Sequence, residues 1–139
     1  MQHDIDVGFD ERDGILSLRL GEIELRGRCY AEVATGPCRR MRLWGRQVEA
    51  LQQSSVSDAH GPGNHIAARL TTDGDDLVLI LEAAVYERHP LVALRIALEN
   101  RGDRTYRALA LSPLATIQMT SGRGPLDGWV NGYHSFAFS

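Results

Sequence analysis

Apolar and polar residues alternate with a period of two along most of this chain, and turn-forming residues cut the alternation at short intervals. Ile15 to Leu20 alternates at its C-terminal end, Gly21 supplies a turn, and Glu22 to Val33 alternates for about a dozen positions, which predicts a hairpin. Gln47 to Gln53 and Ile66 to Thr71 read as two shorter strands. Between them, Ser54 to Asn64 carries His60-Gly61-Pro62-Gly63 and reads as the longest loop. Asp73-Gly74-Asp75-Asp76 is a turn signal, because Asp and Gly tolerate the backbone of tight turns.

The clearest pair of strands follows that turn. Leu77 to Val85 is an apolar run, Tyr86-Glu87-Arg88-His89-Pro90 breaks it, and Leu91 to Leu98 resumes with Val92, Leu94, Ile96 and Leu98 on one face. Proline 90 has no amide to give to a ladder, so the break is a strand end or an edge bulge. Asn100-Arg101-Gly102-Asp103 forms the next turn, before strands expected at Thr105 to Leu111 and Ala115 to Met119. Helical periodicity is scarce. The pattern predicts an all-β fold, an antiparallel two-sheet sandwich occupying residues 1–139 as one domain.

Composition narrows the function classes. The chain has 139 residues, 43% of them hydrophobic and 24% charged, which suits one globular domain with a real core. Its formal net charge is -3, and its 15 basic residues are scattered among acids rather than gathered into a stripe, which argues against a nucleic-acid surface. All of them are arginine, a usage that a GC-rich coding bias accounts for. Cys29 and Cys38 are too few for a disulfide framework and match no zinc or redox spacing. The first residues are acidic where a secretory leader would be basic, and no apolar run has the length of a membrane span, so a cytoplasmic chain is expected.

A search for chemistry finds no nucleophile elbow, no phosphate-binding loop and no dinucleotide fingerprint. Most acids sit in turns, at Asp10, Glu11, Asp13, Asp73, Asp75, Asp76, Asp103 and Asp127, where carboxylates cap amides or meet water. Glu82, Glu87 and Glu99 lie in or beside strands, and no spacing pairs them as a glycosidase would require. His60 and His65 flank the glycine-rich stretch, but no third or fourth metal ligand completes a set. No cofactor is expected.

Aromatic residues concentrate at the end of the chain, with Trp129, Tyr133, Phe136 and Phe138 within ten positions. Their flat faces suit the C–H surface of a sugar ring, and Asn131, His134 and Ser135 can bond its hydroxyls; the same rings would equally plug a sandwich or dock on a neighbouring domain. The stop directly after this patch leads to the expectation that the chain is the N-terminal part of something longer.

The segment Trp129-Val130-Asn131-Gly132-Tyr133-His134-Ser135-Phe136 resembles the Asn-Gly-aromatic-Gln-Ser-Trp motif in the N-terminal β-sandwich domain of family 36 glycoside hydrolases, the α-galactosidase and raffinose-synthase group. Ala84 to Arg95, followed by Leu98-Glu99-Asn100-Arg101-Gly102-Asp103, is similar to paired strands of such domains. His134 stands in place of the family's glutamine and Phe136 in place of its tryptophan; each keeps a hydrogen-bonding group or a ring. The resemblance implies a non-catalytic domain that supports a following (β/α)₈ catalytic domain, makes homo-oligomer contacts and contributes to the rim of a pocket for an α-galactoside-type carbohydrate. The catalytic aspartates of that family lie on the barrel, so none is expected here. Two other readings stand beside it: an autonomous carbohydrate-binding module built on Trp129, Tyr133 and Phe136, and a mutarotase-like epimerase using His89 with Glu87 or Glu99.

Overall fold

The computed structural model describes residues 5–115 and 118–121, and over these the chain is all-β, an antiparallel sandwich without a helix. Eleven strands are formed by the described residues: β1 Ile5–Asp10, β2 Ile15–Leu20, β3 Ile23–Arg28, β4 Tyr30–Thr35, β5 Arg39–Trp44 and β6 Val48–Asp58, then β7 Gly61–Thr71, β8 Leu77–Tyr86, β9 Val92–Asn100, β10 Arg107–Ser112 and β11 Gln118–Ser121. They hydrogen-bond in three groups, ordered β1-β2-β3-β11, β10-β4-β5 and β6-β7-β8-β9.

The first two groups meet end to end. β3 and β4 are separated by Cys29 alone, so one course of chain serves both. Around this junction the Gly45 amide donates to the Cys29 carbonyl and the Ala115 amide to the Arg28 carbonyl, carrying the ladders across the change of sheet. Gly45 is required there by close approach, because a β-carbon would lie 2.5 Å from the Cys29 Sγ. The resulting bent layer faces the β6–β9 sheet, which gives the two-layer plan of a sandwich.

The core lies between these layers. Leu16 of β2, Ala31 and Val33 of β4, Leu43 of β5, Leu70 of β7, and Leu77, Leu79 and Leu81 of β8 form one buried cluster with Cys29. Alternation explains why these residues and not their neighbours are inside: in β9, Val92, Leu94, Ile96 and Leu98 pack on the cluster while Ala93, Arg95 and Ala97 are exposed. Each fully buried leucine contributes about 1.5–3 kcal/mol of transfer free energy, and β8 holds three of them at the centre of its sheet.

Two strands, β1 and β5, are not announced by the alternation picked out above. In β5, Arg39, Arg40 and Arg42 interrupt the apolar signal, and only Leu43 is buried, so tertiary pairing with β4 rather than local pattern places it. The stretch from Ser54 to Asn64, expected as a loop, is instead strand on both sides of a tight turn. β6 and β7 pair without a break from Ala50↔Arg69 to Asp58↔Gly61, leaving Ala59 and His60 as the turn. Gly61 closes it at φ +89°, a left-handed conformation that suits glycine, and the Asp58 carboxylate accepts from the His60 amide at 2.8 Å. This hairpin is polar on both faces because little of it is covered by the opposite layer, so no apolar alternation marks it.

Candidate functional site

A cleft of about 470 Å³ opens where β1 crosses the end of the β6–β9 sheet. Ile5 and Val7 of β1 form one wall, and Ile66, Ala83 and Val85 form the apolar floor. Gln53, Ser55 and Asn64 supply amide and hydroxyl groups, and Asp6 stands at the margin. The register accounts for this grouping: Gln53 pairs with Ile66, Ser55 with Asn64 and Ile66 with Ala83, so all five belong to the face that carries Leu70 and Leu79 deeper in the sandwich. Ser54 and His65 also reach its margin, so the cleft is polar over much of its surface, with amides, hydroxyls, the Asp6 carboxylate and an imidazole around an apolar floor.

The opposite face of the same strands carries a different row. Ser54 and His65 are direct cross-strand partners, with Ser54 Oγ 3.4 Å from His65 Nδ1. Glu82, a diagonal neighbour on β8, places Oε1 3.9 Å from His65 Nε2. Beyond it, Arg69 bonds Glu99 and stands 3.8 Å from Glu49, while Arg101 bonds Glu49 and lies 4.0 Å from Glu99. The four charges form one network tying β6, β7 and the end of β9 together.

Near the hairpin tip, the Tyr86 hydroxyl donates to Asp58 Oδ2 at 2.6 Å. The bond holds the Asp58 carboxyl below the usual carboxylate range and raises the Tyr86 phenol above its own. The His60 ring stands edge-on to Tyr86, with centroids 5.1 Å apart, and 6.3 Å from the ring of His89.

The residues singled out from sequence fare differently. Trp129, Asn131, Tyr133, His134, Ser135 and Phe136 lie outside the described residues. His60 and His65 do not converge: one packs at the turn against Tyr86, and the other sits on β7 between Ser54 and Glu82. Among the described residues, no group of three or more His, Cys, Asp or Glu is placed to hold a metal ion. His89 and Glu99 stand at opposite ends of the β8–β9 hairpin, since Val85 pairs with Val92 and Leu77 with Asn100. Seven residue steps along the strand from Val92 to Glu99 set them roughly 23 Å apart, too far for one acid–base pair. Among the described residues, the histidine ring that meets a carboxylate is His65, beside Glu82.

That pairing, the Tyr86–Asp58 bond and the cleft all escape a reading of local spacing, because they are made across strands. A usable signal exists in the chain: a turn on Ala59-His60 pairs residues whose numbers sum to 119, as Asp58 with Gly61 and Ser54 with His65 do.

No family model, curated protein or solved structure matches this chain. The likeness to family 36 hydrolases therefore rests on the quoted residues alone.

Proposed function

We propose that this chain is a non-catalytic β-sandwich module of a carbohydrate-active, α-galactosidase-like enzyme, and that the cleft between β1 and the β6–β9 sheet receives part of a sugar. The observation that carries the reading is how the carboxylates are employed. Glu24 lies 3.7 Å from Arg19 and 3.8 Å from Arg26, Glu32 lies 3.9 Å from Arg40, and Glu49 and Glu99 share Arg69 and Arg101. Glycosidases instead set two carboxyl groups roughly 5–10 Å apart across a cleft. The cleft here offers Gln53, Ser55 and Asn64 above Ile66 and Val85, with Asp6 and His65 at its margin, a donor–acceptor set over an apolar floor that suits hydroxyls on one side of a pyranose and C–H groups on the other.

The test is to incubate the chain with aryl α-galactosides and to titrate it with galactose-containing oligosaccharides while following backbone amide shifts. The expected result is no turnover, with saturable shifts at Gln53 and Asn64 that Asn64→Ala weakens about tenfold. Release of the aryl group that Glu82→Gln or His65→Asn abolishes would overturn the non-catalytic reading in favour of a glycosidase. Amide shifts that stay unchanged with every galactoside would overturn the carbohydrate reading.

A further inference from the structure

We infer that β6 is a self-association edge, along which two copies of this chain pair antiparallel about a two-fold axis to join their four-stranded sheets into one of eight strands. β6 ends the order β6-β7-β8-β9, so among the described residues one side of its backbone has no ladder partner. It is 11 residues long, and every residue from Glu49 to Ser55 is exposed. An edge of this length is a template for further pairing unless charge, proline or a covering element blunts it.

The longer edges elsewhere are blunted, and the uncharged edge β11 is only four residues long. β5, at the end of its own sheet, exposes Arg39, Arg40 and Arg42. β1 carries Asp6 and Asp10, and β9 carries Arg95 and packs against β10. β6 departs from this: Ala50-Leu51-Gln52-Gln53-Ser54-Ser55-Val56-Ser57 contains no charge and no proline. The acids that bound this run are already engaged, Glu49 by Arg69 and Arg101, and Asp58 by Tyr86.

The run is also self-complementary. A two-fold axis perpendicular to the sheet at Gln53 keeps each face on its own side and sets Gln53 opposite its symmetry mate. Gln52 then meets Ser54 of the second copy, Leu51 meets Ser55, and Ala50 meets Val56. Leu51, which is 38% exposed in the single chain, is thereby partly covered. Glu49 falls opposite Ser57, so no like charges face each other, and the pairing stops short of Val48, whose amide already donates to the Glu11 carbonyl. Both β6 edges are consumed, only β9 edges remain outside, and the assembly closes at two copies.

Light scattering coupled to size exclusion at about 100 μM chain should give the mass of two copies. Gln52→Lys/Gln53→Lys, which adds one cation to each face of the exposed strand, should return the monomer mass with an unchanged far-ultraviolet spectrum. In a Cys38→Ser background, Gln53→Cys should form an intermolecular disulfide under mild oxidation, because the two-fold axis brings the pair within bonding range. A monomeric wild type at that concentration, a lysine variant that dimerises as tightly as wild type, or a Gln53→Cys chain that stays uncrosslinked would each overturn the proposal. None of these readouts depends on the carbohydrate assignment.

Discussion

Tyr86, the last residue of β8, reaches across Gly63 to donate its hydroxyl to Asp58 at 2.6 Å, and so fastens the tip of the β6–β7 hairpin to the centre of its sheet. The bond holds its full strength only while the carboxyl is ionised and the phenol protonated. Asp58, whose carboxyl is lowered in the fold, contributes stability above its ordinary value of 3.8 and loses it as the pH falls through the lowered one. Tyr86, whose phenol is raised, contributes stability below its ordinary value of 10.0 and loses it as the pH rises through the raised one. Urea denaturation across pH should show Tyr86→Phe less stable than wild type between these limits, with the gap closing on both sides. A gap that is constant with pH would show that the ring's packing, not the bond, is what the substitution disturbs.

The same crossing requires that position 63 have no side chain. A β-carbon there would lie 2.3 Å from the Val85 carbonyl oxygen and 3.1 Å from Tyr86 Cδ1, and the first of these is backbone that cannot swing away. Gly63→Ala should destabilise the fold by about 2 kcal/mol. Gly8→Ala, at a strand position where a β-carbon meets nothing within 4 Å, should be close to neutral. Denaturation midpoints of the two variants, compared with wild type, check both statements; equal effects would refute the close-approach argument.

The two cysteines should differ sharply in reactivity. Cys38 is exposed, whereas Cys29 is buried at the junction of β3 and β4, and burial pushes its thiol up from 9.0 to about 11. One thiol per native chain should titrate rapidly with a disulfide reagent, and the second only after denaturation. Because the folded value is raised, the contribution of Cys29 is fully present below pH 9.0 and is lost as the pH climbs through about 11. The full loss amounts to about 2–3 kcal/mol. Cys29→Ala should remove this alkaline limb; a variant with an unchanged alkaline limb would assign it to other groups.

Sequence reading recovered the parts of this fold that are governed by burial. β2 and β9 alternate because one face of each meets the core, β8 is a continuous apolar run because it is buried over most of its length, and Val92, Leu94, Ile96 and Leu98 take the face predicted for them. It missed what pairing alone determines. β5 is three arginines beside a buried leucine, and the hairpin of β6 and β7 near His60 is polar on both faces, so neither carries a periodic signal. The candidate site was hidden for a related reason. His65 meets Ser54 and Glu82 through register, and the 11 and 17 positions that separate them have no meaning until the turn at Ala59-His60 is known. The aromatic residues from Trp129 to Phe136 lie outside the described residues.

The division of the strands also carries an order in time. β6, β7, β8 and β9 each pair with the strand that precedes or follows in the chain, so this sheet assembles through short loops. β10 and β11 instead return to partners made long before: Ala108 pairs with Val33, 75 positions earlier, and Met119 with Leu25, 94 positions earlier. Closing loops of that length is entropically expensive and slow, and it is favourable only once a surface exists to receive the strands. Pulse-labelled hydrogen exchange during refolding should protect the amides of β8 before those that join β10 to β4. The bent layer is therefore the last part of the molecule to close, and until it does, the Val33 side of the core waits on residues made at the far end of the chain.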